Sequence, residues 1–190
     1  MKTINIPASV EFGAVAQKDA RVLILGSLPS AVSLQRGEYY AHPRNAFWSI
    51  MGSLLGASRD LPYPVRLERL KECGVALWDV CASGRRKGSL DSNIADEVPN
   101  DFTTFLDRHS GIILICFNGG TARRIFERRV LPNLASSFAG IRYEQLASTS
   151  PAHAAIPFEE KLSRWRKVLE SASVNVRWAK SAGRSPPSEP

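Results

Sequence analysis

A chain of 190 residues is long enough for one well-buried domain and short for two. Hydrophobic residues make up 44% and charged residues 23%, an ordinary globular balance that excludes a fibrous or wholly disordered chain. Lys and Arg number 25 against 18 Asp and Glu, a formal charge of +7, and so basic a domain suggests a polyanionic partner.

No apolar run approaches the length of a membrane span, and the N-terminus lacks the charged and apolar regions of a secretory leader. The three cysteines, Cys73, Cys81 and Cys116, fit no zinc or iron–sulfur spacing, and their odd number argues against a disulfide framework. No metal site and a reducing, cytoplasmic setting are the expectation.

Residues 1–17 are of mixed polarity and are expected to pack across the surface ahead of the first strand. Residues 21–25 form a short apolar run bounded by polar residues, which predicts a buried strand. The small-residue loop Gly26-Ser27-Leu28-Pro29-Ser30 ends it and leads into Tyr39-Tyr40-Ala41-His42-Pro43-Arg44-Asn45. An amphipathic helix is predicted from about 45 to 55, and a short one over 65–70 that ends at Gly74. Residues 75–80 are a second strand, followed by a basic, glycine-flanked loop, Ser83 to Ser89, continuing through Asp91 to Ile94.

Asn100 or Asp101 can cap a helix carrying Phe102, Phe105 and Leu106, with His109 at its end. Residues 112–117 are the clearest buried strand. Asn118-Gly119-Gly120 closes it and begins an arginine-rich helix over 122–130. A half-buried strand over 141–146, the loop Ser148-Thr149-Ser150-Pro151-Ala152-His153 and a long amphipathic helix through Phe158 and Trp165 complete the domain. The expected domain is a single unit over 1–178, and the Ser- and Pro-rich composition of 179–190 predicts a disordered tail.

Strands alternating with helices predict an α/β fold with a mainly parallel sheet and helices on both faces. The loops after the four strands then share one sheet edge, where such folds bind ligands. That edge gathers the small, polar and basic residues. Arg85, Arg86 and Lys87 lie on it between glycines, which favours phosphate contact. Neither GxxxxGK[ST] nor GxGxxG occurs, and Ser30 lacks the partners of a hydrolase nucleophile.

Five segments in order resemble the uracil-DNA glycosylase superfamily, and its hypoxanthine-DNA glycosylase branch above all. They are GSLPS, YYAHPRNAFW, LWDVCASGRRKGSLDS, FNGGTA and STSPA, spanning about 21–165. The resemblance implies a three-layer α/β/α fold with a short four-stranded parallel sheet. It implies a monofunctional enzyme, without metal or organic cofactor, that hydrolyses the bond between a deaminated base and deoxyribose in double-stranded DNA. It further implies a monomer in the cytoplasm, on the nucleoid during repair. Hypoxanthine is the base expected; a uracil or thymine mismatch glycosylase and a catalytically silent DNA-binding member are the alternatives.

The same resemblance assigns roles. Tyr40 matches the aromatic that stacks on the extruded base, Gly26 and Ser27 line the base site, and Asn118 either bonds the base edge or caps the helix that follows it. Leu28 stands where many members carry the Asp or Asn that holds the attacking water. The branch places that duty on the amide matching Asn45, the expected catalytic residue. Pro29, Ser30, His42, Arg85, Arg86, Lys87, Ser89, Ser150, Pro151 and His153 are the expected DNA contacts, and Asp91 belongs to the same GSLDS segment as Ser89.

Overall fold

A computed structural model describes residues 3–6, 13–87 and 93–174. Its centre is a four-stranded, all-parallel sheet made of β2 (Val22–Gly26), β3 (Val75–Asp79), β6 (Leu114–Asn118) and β7 (Arg142–Leu146), in the order β3-β2-β6-β7. Side chains alternate between the two sheet faces, as the two-residue period of a strand requires. Val22, Ile24, Val75, Leu77, Leu114 and Cys116 enter one core, and Leu23, Leu25, Ala76, Ile115 and Phe117 enter the other.

The first core is covered by α2 (Phe47–Leu55), α3 (Tyr63–Glu72) and α6 (Phe158–Glu170), through the fully buried Phe47, Trp48, Met51, Leu55, Trp165 and Leu169. The second is covered by α4 (Phe102–Arg108) and α5 (Gly120–Arg129), through Phe102, Phe105, Ile125 and Phe126. The fold is therefore the expected three-layer α/β/α arrangement. Asp101 caps α4 by accepting from the Thr104 N–H at 3.0 Å, and His109 ends it.

Two features differ from the sequence expectation. A six-residue helix, α1 (Ala31–Arg36), directly follows the first loop, with Ser30 as its N-cap. The predicted basic loop is instead a strand, β4 (Cys81–Lys87), at the centre of a small antiparallel sheet with β1 (Thr3–Ile6) and β5 (Ile94–Pro99). Register shifts between Cys81 and Ser83 and between Ser83 and Arg85 break the alternation that would have marked a strand. Residues 88–92, with Ser89 and Asp91, lie outside the described residues, as do 7–12 and the predicted tail. No helix among the described residues is long and apolar enough to cross a membrane.

The candidate base-excision site

The carboxyl ends of β2, β3 and β6 meet where strand order reverses: the chain steps from β2 to β3 on one side, then back to β6 on the other. A crevice forms at such a switch point. Here it is a cleft of about 330 Å³, lined by Gly26 to Ser30, Tyr40, His42, Asn45, Asp79, Arg86, Asn118 and Ser148 to Ala152, among others. It thus gathers eleven of the expected residues: Gly26, Ser27, Pro29, Ser30, Tyr40, His42, Asn45, Arg86, Asn118, Ser150 and Pro151.

Tyr40 has φ 52°, the left-handed region that L-residues seldom adopt. The turn sets its ring against Phe47, with centroids 4.0 Å apart and planes 24° from parallel. Phe47 is itself wedged edge-on between Trp48 and Trp165, so the Tyr40 ring has a rigid aromatic backing.

Asn45 lies in the turn before α2. Its Oδ1 accepts from the Phe47 N–H at 3.0 Å, which fixes the side chain. The oxygen retains a second lone pair and the amide nitrogen two donors. The turn is held from behind by Arg59, whose Nη2 donates to the carbonyls of Asn45 at 2.9 Å and His42 at 3.3 Å. His42 Nδ1 accepts from the Arg44 N–H.

Asn118 sits at the end of β6 with both ends of its amide engaged by one residue. Nδ2 donates to Thr149 Oγ1 at 2.8 Å, and Oδ1 accepts from the Thr149 N–H at 2.9 Å. The Thr149 carbonyl accepts from the Ala46 N–H at 3.0 Å. A continuous chain of bonds thus ties β6 to the Ser-Pro loop and to the turn carrying Asn45. Next to it, Gly119 has φ 105°, and a Cβ there would meet Ser148 Cβ at 3.0 Å, so glycine is required. Within the Ser-Pro loop, Ser150 Oγ accepts from the Ala152 N–H.

The basic segment divides into unlike parts. Arg85 is exposed and paired with Asp96 of β5. Arg86 points the other way, 3% exposed, and donates to the carbonyls of Pro29 at 2.9 Å and Leu28 at 3.4 Å. It is a bracket under the first loop, where an exposed phosphate ligand was expected; the two-residue period of β4 is the reason. The Lys87 side chain is not among the described ones. Leu28 is buried in the second core and packs over Gly84. His153 is exposed and does not line the cleft; its carbonyl accepts from the buried Lys161 Nζ at 2.8 Å.

Asp79, Arg59, Thr149 and Lys161 were not singled out in the sequence. In the sequence Asp79 falls inside the apolar run 75–80 that is read as a strand, and the two cations read as surface charges. Burial, with the Asp79 charge adding to it, pushes the Tyr39 phenol well above its ordinary range. Among the described residues, no group of three or more His, Cys, Asp or Glu side chains gathers as a metal site would require.

A solution NMR structure from Methanosarcina acetivorans, described as a candidate uracil DNA glycosylase, superposes with a TM-score of 0.71 at 35% identity, covering 85% of this chain and 96% of that one. A family model of the uracil DNA glycosylase superfamily matches residues 12–172. The chain belongs to that superfamily. Among its relatives, a hypoxanthine DNA glycosylase of M. acetivorans is 39% identical over 70% of this chain and 89% of its own length. One of M. barkeri is 41% identical over 57% of this chain and 69% of its own.

Proposed function

We propose that this protein is a monofunctional DNA glycosylase that flips a deaminated base from double-stranded DNA and releases it by hydrolysis, with hypoxanthine as its principal base. The cleft is the observation that carries the reading. It sets a rigidly backed aromatic face, Tyr40, and an anchored amide, Asn45, on the same small pocket at the sheet's carboxyl edge. Its volume is at the small end of ligand pockets, in keeping with a single base. The names of the two relatives supply the choice of hypoxanthine.

A base inside a duplex is out of reach, so it must be extruded, at a cost of a few kcal/mol that is least for a mispaired base. Stacking on Tyr40 returns about 1–3 kcal/mol. As the bond from base to C1′ lengthens, positive charge develops on the sugar and the bonding electron pair leaves with the base. Asn45 holds a water against C1′ through its amide oxygen. The new C1′–O bond forms, the water proton passes to solvent, and the base is protonated as it departs. Ser30, His42, Ser150, Pro151 and His153 border the duplex on the rim, and Arg85 faces its phosphates, with Lys87 and Ser89 as further proposed DNA contacts. The protein acts as a monomer in the cytoplasm, on nucleoid DNA, with no cofactor.

Leu28 fits this mechanism because its side chain is packed into the core and leaves water positioning to Asn45. Labelled duplexes holding one deoxyinosine, deoxyuridine or G·T mismatch, treated with alkali to cut abasic sites, test the proposal. Cleavage chiefly at deoxyinosine is expected. Cleavage chiefly at deoxyuridine or G·T overturns the base, and binding without cleavage makes the protein a silent member.

A further inference from the structure

Tyr40 holds a left-handed backbone, and its φ and ψ are set by the two planar peptides on either side of it. Both planes are anchored. The Tyr39 carbonyl, in the first, accepts from Trp48 Nε1 at 2.8 Å. The Ala41 N–H, in the second, donates to Ser33 Oγ at 3.4 Å. One peptide earlier, the Tyr39 N–H donates to the Tyr63 hydroxyl at 3.0 Å. Tyr63 opens α3 with its ring edge-on to Trp48, centroids 6.0 Å apart and planes at 89°. The Arg66 guanidinium, one turn along α3, lies 4.8 Å from the Trp48 ring centre and 5.0 Å from that of Tyr63. It is 6% exposed and pairs with Glu38 Oε2 at 3.1 Å. Glu38 directly precedes Tyr39, so the chain is gripped again one residue before the turn. Trp48, Tyr63, Arg66 and Glu38 stand behind the cleft rather than on its wall.

We infer that Tyr63 is a positioning residue of this site: with Trp48 and the Arg66–Glu38 pair it holds the Tyr39 main chain from behind, and so keeps the Tyr40 ring set for an extruded base before the base arrives. The inference rests on the glycosylase reading above. A residue other than glycine keeps a left-handed backbone only while its surroundings enforce it. Released, Tyr40 returns to an ordinary φ, and its Cβ and ring swing away from Phe47, on which the ring now stacks. Arg66 stiffens the clamp. Its charge lies against both rings, so the two bonds to Tyr39 issue from one rigid corner. The ordering of Tyr40 is thus completed when the protein folds and is not repeated at each encounter with DNA.

The test is a double-mutant cycle on single-turnover base release from a deoxyinosine duplex. Tyr63→Phe removes one hydroxyl and keeps the ring against Trp48 and Arg66, so the protein should fold with a Tm near wild type. It should slow release by about threefold to tenfold, the worth of one hydrogen bond. In a Tyr40→Ala background there is no ring to place, and Tyr63→Phe should there change the rate by less than about twofold. Equal slowing in both backgrounds makes Tyr63 merely structural and overturns the inference, as does an unchanged rate where Tyr40 is present. A second arm reads no chemistry: 2-aminopurine placed beside the deoxyinosine brightens as that base leaves the stack. Tyr63→Phe should brighten less than wild type while binding an undamaged duplex equally well. That loss in a protein that releases no base sustains Tyr63 and overturns the glycosylase reading. Full brightening by Tyr63→Phe overturns Tyr63 and leaves the glycosylase reading to the release assay. A wild type that neither releases nor extrudes the base overturns both.

Discussion

Three cations that a sequence reader would place on the surface are used inside this molecule. Arg86, Arg59 and Lys161 each donate to backbone carbonyls, and each holds a different loop of the cleft: Leu28 and Pro29, His42 and Asn45, and His153. Their side chains act on the loops, and through the loops on the residues that meet DNA. Arg59→Met should therefore lower kcat by about tenfold with little change in KM, because Asn45 loses its fixed position rather than the site its affinity. Steady-state kinetics on a deoxyinosine duplex check this; a change confined to KM would place Arg59 in DNA binding. Cys116 gives a residue-scale prediction of another kind. Burial, reinforced by Glu144, pushes its thiol up to about 12, far above the ordinary value, so almost no thiolate exists at pH 8. The folded protein should resist iodoacetamide at Cys116 and become reactive there in denaturant, which peptide mass spectrometry reads.

Among the elements, β6 and the Ser-Pro loop are coupled by Asn118 and Thr149. Asn118→Ala leaves the Thr149 N–H and hydroxyl without their partner in a buried setting, at a cost of about 1–3 kcal/mol. Because the Thr149 carbonyl continues to Ala46, the damage should reach the turn beside Asn45 as well. Thermal unfolding and kcat should fall together; a variant of full stability and slow turnover would return Asn118 to direct base contact. The elements also show what the sequence discloses. β2, β3 and β6 are apolar runs of strand length, and their identity and parallel pairing follow from composition and alternation with helices. β4 is hidden because three consecutive basic residues and two register shifts imitate a loop. Arg85 and Arg86 look alike in the sequence, and only pairing with β5 turns one outward and one inward. The Asn118 contact spans 31 residues and leaves no local signal.

At the scale of the whole molecule, the charge of +7 favours association with a duplex through counterion release. The fold makes that contribution uneven. Arg85→Ala should reduce the salt dependence of binding, by about one unit of log K per log salt if it neutralises one phosphate. Arg86→Ala should leave that slope unchanged and lower the Tm instead, since its guanidinium is occupied under the first loop. Filter binding across a salt series, with thermal melts of both variants, separates the two; equal slopes for Arg85→Ala and wild type would remove Arg85 from the interface. The position of the cleft was legible from topology, since four loops must emerge on one edge of a parallel sheet. Its acidic side was not, because nothing near Asp79 in the sequence announces the space that Gly26 leaves beside it.

The central claim is that Asn45 positions the attacking water, and single-turnover base release from a deoxyinosine duplex by wild type and Asn45→Ala tests it most directly. Wild type should release hypoxanthine, and Asn45→Ala should do so roughly a hundredfold more slowly or worse. Duplex affinity should stay near wild type, and stability should fall by no more than about 1 kcal/mol, the worth of the turn bond to Phe47. Asn45→Ala releasing base at the wild-type rate, or losing affinity and stability together with activity, would contradict the account and leave Asn45 a residue of the turn alone.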